Sequence, residues 1–309
     1  MKILVIVLLI ITVIVLGLLA YKNTTNRMPD LTFWDNNKPD DKKNKKDKKD
    51  KKDKNKDEKE ELNTSTPYKI EEKYTVPEVL SEISDISHLS DNLFACVQDE
   101  AGTIYIYNTN SNSIEKEIPF AGKGDYEGIA LAGNTAYVIN SGGVVFEVSD
   151  IQNARPAVRQ YKTFLKAEDD VEALCFDKAN NRLLLAFKRE EANKIKGIYA
   201  FDLKTKQLAK KPVYTIDLNH TIFQGDKKKK QGIKPSAIAI QPTNGDIYIT
   251  EGTNPKLLVL DNQGNIKSLV PLNKKEFAQP EGITFNKTGE LFISNEGKKG
   301  EGNILKVKL

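Results

Sequence analysis

A short motif returns five times between residues 83 and 284 of this 309-residue chain, and it constrains the fold more than any other feature. It reads I-S-D-I-S at Ile83–Ser87, Y-E-G-I-A at Tyr126–Ala130, V-E-A-L-C at Val171–Cys175, P-S-A-I-A at Pro235–Ala239 and P-E-G-I-T at Pro280–Thr284. The second residues, Ser84, Glu127, Glu172, Ser236 and Glu281, are spaced by 43, 45, 64 and 45 residues. A period near 45 with several short strands per unit is the signature of propeller blades.

Every unit continues in the same order. Turns such as Thr243-Asn244-Gly245-Asp246 lead to a second strand, as in D-I-Y-I-T or E-L-F-I-S (Glu290–Ser294). A third follows at Thr103–Asn108, Val144–Val148, Gly197–Leu203, Lys256–Asp261 and Ile304–Lys308, then a more polar fourth, as at Ser113–Ile118. These β-branched and aromatic runs between Gly, Asn and Asp clusters have the grammar of strands. The last unit stops after its third strand, and Tyr68–Val76 is expected to supply the missing fourth, since an unclosed ring would expose an unpaired edge. The expected fold is an all-β, five-bladed β-propeller closed by an N-terminal strand. The 64-residue step contains a loop, His220 to Ile233 with Lys227–Lys230, and a sixth, degenerate blade hidden there is the alternative.

Two unlike segments precede the repeat. Residues 3–20 carry no charge and would span about 27 Å as a helix, close to the thickness of a bilayer core. Residues 1–21 therefore read as a transmembrane anchor or, alternatively, as a signal segment, for which the Leu18–Ala20 cleavage site is a poor fit. Residues 22–65 form a Lys/Asp-rich linker. Its part from 38 to 61 holds 12 Lys against 9 acidic residues, and from 36 to 61 no aliphatic or aromatic residue is present. Such a stretch is expected to be disordered, because it has no apolar surface to offset chain entropy. Residues 66–309 are the propeller and are close to neutral, although the whole chain is +4. That excludes nucleic-acid binding, which needs a dense basic surface to displace counterions.

On the order Ser, Glu, Glu, Ser, Glu at the strand openings, and on phrases such as Ala95-Cys96-Val97-Gln98-Asp99 and Gln279-Pro280-Glu281-Gly282-Ile283, the chain resembles the SdiA-regulated (YjiK-type) family. The resemblance covers residues 66–309. It implies an N-terminally anchored, NHL-like propeller, membrane-associated and exported to the cell envelope, of poorly defined activity; the partner expected of such a binding module is an envelope protein or a small ligand.

In a propeller the first strand of each blade lines the central channel, and its start opens at the same mouth as the end of the second. Glu127, Glu172 and Glu281 are the candidate metal ligands at that mouth, since crowded carboxylates accept a hard cation such as Ca²⁺. Ser84, Asp99, Asn140, Lys188, Ser236, Glu251, Asn295 and Glu296 are the surrounding candidates for binding. Two metal-free arrangements compete with this. Lys188 or Arg189 would neutralise the ring, or the Glu side chains would accept backbone N–H bonds from neighbouring blades. No catalytic set is assembled: His88 and His220 are the only histidines, and neither completes a Ser/His/Asp constellation. Both are read as surface or loop residues, with His88 the nearest His for a general base. Cys96 and Cys175 read as buried small hydrophobes. The expected function is a tethered binding or scaffolding module. A Ca²⁺-dependent lactonase- or phosphoesterase-type hydrolase and an inert structural envelope protein are the alternatives.

Overall fold

Leu183–Phe187 is apolar and buried at every position, whereas a strand with one wet face alternates. Leu183, Leu185 and Phe187 pack toward the preceding blade, while Leu184 and Ala186 pack toward the next. Each sheet is thus covered on both faces by its neighbours, and five apolar clusters fill the five seams. The computed structural model describes residues 67–189, 194–224, 232–297 and 300–309. The predicted anchor at 1–21, the linker at 22–65 and Lys227–Lys230 lie outside the described residues. Among those described, no helix is long and apolar enough to cross a membrane.

The five sheets are antiparallel. Blade 1 comprises β2 (Ile83–Ser90), β3 (Leu93–Gln98), β4 (Ala101–Asn108) and β5 (Ser113–Lys123); blade 2 comprises β6 (Tyr126–Ala132), β7 (Thr135–Asn140), β8 (Val144–Ser149) and β9 (Ala157–Lys162). Blade 3 runs through β10 (Val171–Asp177), β11 (Arg182–Phe187) and β12 (Ile195–Asp202) to an outer strand split into β13 (Gln207–Leu208) and β14 (Tyr214–Asp217). Blade 4 is β15 (Ala237–Ile240), β16 (Ile247–Glu251), β17 (Lys256–Leu260) and β18 (Ile266–Pro271). Blade 5 is β19 (Pro280–Phe285), β20 (Leu291–Asn295), β21 (Asn303–Lys308) and, as its outer strand, β1 (Lys69–Thr75). The inner strands β2, β6, β10, β15 and β19 pack in succession and return to β2, closing the ring.

The long step between the third and fourth motifs holds no further sheet among the described residues, so the six-blade alternative falls. Its extra length goes into the split outer strand, broken around Pro212, which has no N–H for the ladder, and into the connection to β15.

The closing strand lies within the expected Tyr68–Val76. Lys69 faces Lys308 across the ladder and Thr75 faces Asn303, while Asn303 in turn faces Asn295. Since β20 ends at the mouth, the chain enters blade 5 on the face away from it.

The third motif position sets how closely inner strands approach. A Cβ at Gly282 would sit 2.9 Å from Ile86 N and 3.0 Å from the Asp85 Cα, and would collide with the Ser294 hydroxyl. Gly282→Ala is expected to cost about 1–3 kcal/mol, read as a lower denaturation midpoint at unchanged slope. An unchanged midpoint would show that the seam has slack.

Candidate functional site: an acidic channel mouth

The second motif residue reaches the channel by a specific device. The ladder between first and second strands skips one residue in four blades, and the skipped residues are Ser84, Glu127, Glu172 and Glu281. A bulge leaves its extra residue unpaired and re-aims its side chain. In blade 4 the inner strand begins two residues later, and Ser236 is held otherwise, its hydroxyl donating to the Pro280 carbonyl at 2.6 Å and pairing with the Thr250 hydroxyl at 3.1 Å.

The bulged residues line one cavity of about 160 Å³ together with Glu82, Ile83, Asp99, Lys188, Gln279 and Glu296. Among the described residues the lining thus holds six carboxyl groups and one ammonium. That ammonium is committed: Lys188 Nζ lies 2.6 Å from Glu172 Oε1. Burial acts to lower the pKa of Lys188, but Glu172, Glu281 and Asp170 outweigh it and hold the group charged. The loop that carries Lys188 is pinned from below by Lys196, a fully buried lysine whose Nζ donates to the carbonyls of Lys188 at 2.6 Å and Arg189 at 2.8 Å. Arg189 itself pairs with Asp169 at 2.6 Å.

Burial, then the charge of Glu172 and then that of Asp125, push the Glu127 carboxyl up to about 9. Glu172 is pushed up to about 8 by burial, against the pull of Lys188 and with the help of Glu281 and Asp170. Asp99 is raised by burial first and by the neighbouring Glu100, and its buried Oδ1 has no partner among the described residues. The Glu281 carboxylate lies over Gly252, where any side chain would run into it. No three His, Cys, Asp or Glu side chains converge as a metal cage among the described residues.

Four of the expected mouth residues serve elsewhere. Ser236 links blades 4 and 5, as described. Glu251 pairs with Lys256 at 3.0 Å and accepts the Lys234 N–H at 3.0 Å. Asn140 Oδ1 accepts the Val144 N–H, capping its turn. Asn295 is fully buried and donates to Asn303. Each is a strand-end residue whose side chain is used by the adjoining turn or blade.

His88 is neither on the surface nor in a loop. It lies in β2, half-buried between Phe94 and Phe292 with ring centroids 5.3 and 6.0 Å away, and burial lowers its pKa. His220 caps a short turn, its Nδ1 accepting the Ile222 N–H. Neither lines the cavity. Cys96 and Cys175 are buried free thiols.

The sequence reading missed Asp85. Its fully buried carboxylate accepts the N–H of Ile86 and, from blade 2, that of Ile129, each at 2.8 Å, and the N–H of Ile283 from blade 5. Burial raises its pKa and those three bonds oppose the rise. The backbone-accepting role considered for the Glu ring is thus performed one residue further along, by a single Asp. A signal was present: Asp85 stands in a motif column otherwise filled by Gly128, Ala173, Ala237 and Gly282. Glu82 and Gln279 were equally reachable, because both immediately precede a motif copy.

The fold is shared widely. The chain is similar to Myxococcus xanthus glutaminyl cyclase at 14% identity, covering 78% of this chain and 95% of that one, with a TM-score of 0.57. Virginiamycin B lyase from Staphylococcus aureus is 17% identical over 76% of this chain and 69% of its own, with a TM-score of 0.44. The likeness to the cyclase concerns fold and not activity. No curated protein matches the chain in sequence. The SdiA-regulated family model matches residues 60–298, and the chain belongs to that family.

Proposed function

We propose that the chain is a binding propeller of the cell envelope, held to the membrane through residues 1–21, whose channel mouth takes a cationic ligand. The observation that carries this is the imbalance at the mouth, where six carboxyl groups face one committed ammonium. Lys188 is a built-in occupant of the cation position against Glu172, and an incoming cation competes with it and with the proton on Glu127. Oxygen-rich surroundings of this kind suit Ca²⁺, with Glu127, Glu172 and Glu281 as ligands once drawn together. An envelope protein presenting a basic group meets the same chemistry.

The test is a thermal melt of the full chain, chelated and then titrated with Ca²⁺, Mg²⁺ or Mn²⁺. A shift of several degrees with one ion is expected, since a ligand that binds only the folded state stabilises it by mass action. No shift with any ion, alongside no change on adding basic peptides, would overturn the reading. A proton held on Glu127 would also serve general-acid chemistry. The cation-loaded protein is therefore to be assayed on lactones and phosphoesters as well, where turnover would favour the hydrolase alternative.

A further inference from the structure

The seams between blades are not equivalent on the face away from the mouth. Where blade 2 meets blade 3, Lys206 from the turn between β12 and β13 fills the space beside Tyr137. Its ammonium lies 5.0 Å from the Tyr137 ring centre and 5.4 Å from that of Tyr161, donates to the Tyr137 hydroxyl at 3.0 Å and pairs with Glu147. Where blade 4 meets blade 5, the same position is Tyr248: Tyr137 stands opposite Ala130 and Tyr248 opposite Ala239, the fifth residues of their motif copies. Blade 5 takes its outer strand from β1, so no turn leads from β21 into an outer strand to deliver a plugging side chain. What remains is a groove of about 460 Å³, with Tyr248 and Phe285 packed edge-to-face at 5.0 Å, and with Glu71, Glu290 and Lys308 at its rim.

We propose that this groove is a second binding site, for a primary alkylammonium group seated on the Tyr248 ring as Lys206 is seated on Tyr137. The internal counterpart supplies the chemistry: an aliphatic stem lying on apolar surface, an ammonium against aromatic faces, and a carboxylate beyond. Val259 stands where blade 2 has Glu147, so the countercharge here falls to Glu71 of β1 and to Glu290, which Lys306 already holds ionised. Lys308 opposes the ligand. The inference is independent of the mouth.

Calorimetric titration of the full chain with cadaverine and with Nα-acetyl-lysine methylamide tests it, the first representing free amines and the second lysine side chains. Binding of either that weakens on substitution of Tyr248 supports the site and identifies its source, since the acidic mouth would bind an amine regardless of Tyr248. Tyr248→Leu is expected to weaken it roughly five- to tenfold. Two exposed substitutions that leave the core alone should act in opposite directions, Glu71→Gln weakening and Lys308→Gln strengthening the affinity. Ligand-dependent shifts of the Phe285 ring resonances would localise the event. Equal binding of the Nε-acetylated lysine analogue, indifference to all three substitutions, or no binding of either probe would overturn the proposal.

Discussion

Asp85→Ala is expected to lower the stability of the full chain by about 3–5 kcal/mol, or roughly 6–20 °C in melting temperature for a domain of this size. Few single substitutions reach that range, and leaving buried polar groups without partners is one of the mechanisms that does. Here one truncation orphans the N–H groups of Ile86, Ile129 and Ile283, donors on the inner strands of three adjacent blades. None can turn to water, because Ile86, Ile129 and Ile283 are buried. Asp85→Asn keeps an acceptor oxygen and should fall between wild type and Ala. A melt of Asp85→Ala within about 2 °C of wild type would show that the inner ring closes by apolar packing alone.

The second large effect has the opposite sign. Glu127→Gln is expected to stabilise the cation-free protein at alkaline pH while abolishing its response to cations. The folded pKa of Glu127, about 9, lies above its ordinary value of 4.5, so between those limits the folded state holds a proton that the unfolded chain has released. The stability due to this group is full below about pH 4.5 and drains away as pH rises toward 9. Glu172 adds to the loss up to about pH 8. Gln has no proton to lose. Each pKa unit of the displacement corresponds to about 1.4 kcal/mol, so one unit alone raises the melting temperature at pH 9 by roughly 3–6 °C. A bound cation favours the ionised carboxylates, so uptake should release protons and tighten as pH rises. Melts at pH 5, 7 and 9 check both points. A wild-type melting temperature that climbs over this interval, with Glu127→Gln following it in parallel, would contradict the assignment.

The five-bladed ring was legible because its signal is redundant. Five copies of one motif, each followed by strands in the same order, state the period several times over, and the incomplete last unit points to β1 as its complement. The mouth was half legible. The bulge places the second motif residue, so Glu127, Glu172 and Glu281 could be read from position alone. Strand-end residues such as Asn140, Glu251 and Asn295 could not, because their direction depends on whether a neighbouring turn recruits the side chain. The bond between Lys188 and Glu172 joins two named candidates, but Lys196, which sets the height of that loop, reads in sequence as one more polar residue in a strand. Its burial is decided by the carbonyls of the preceding turn, a tertiary fact.

The closing strand also has a consequence during biosynthesis. β1 leaves the ribosome first and β21 last, so the first strand made waits for the final one before it has a partner. Pairing over such a separation is a slow step. The mouth depends on the same event, because Gln279, Glu281 and Glu296 come from blade 5 while Ser84 and Asp99 come from blade 1. A chain interrupted before blade 5 therefore lacks Gln279, Glu281 and Glu296 from the lining and leaves two apolar seams uncovered. The complete lining of the mouth is a property that only a chain carrying blade 5 acquires.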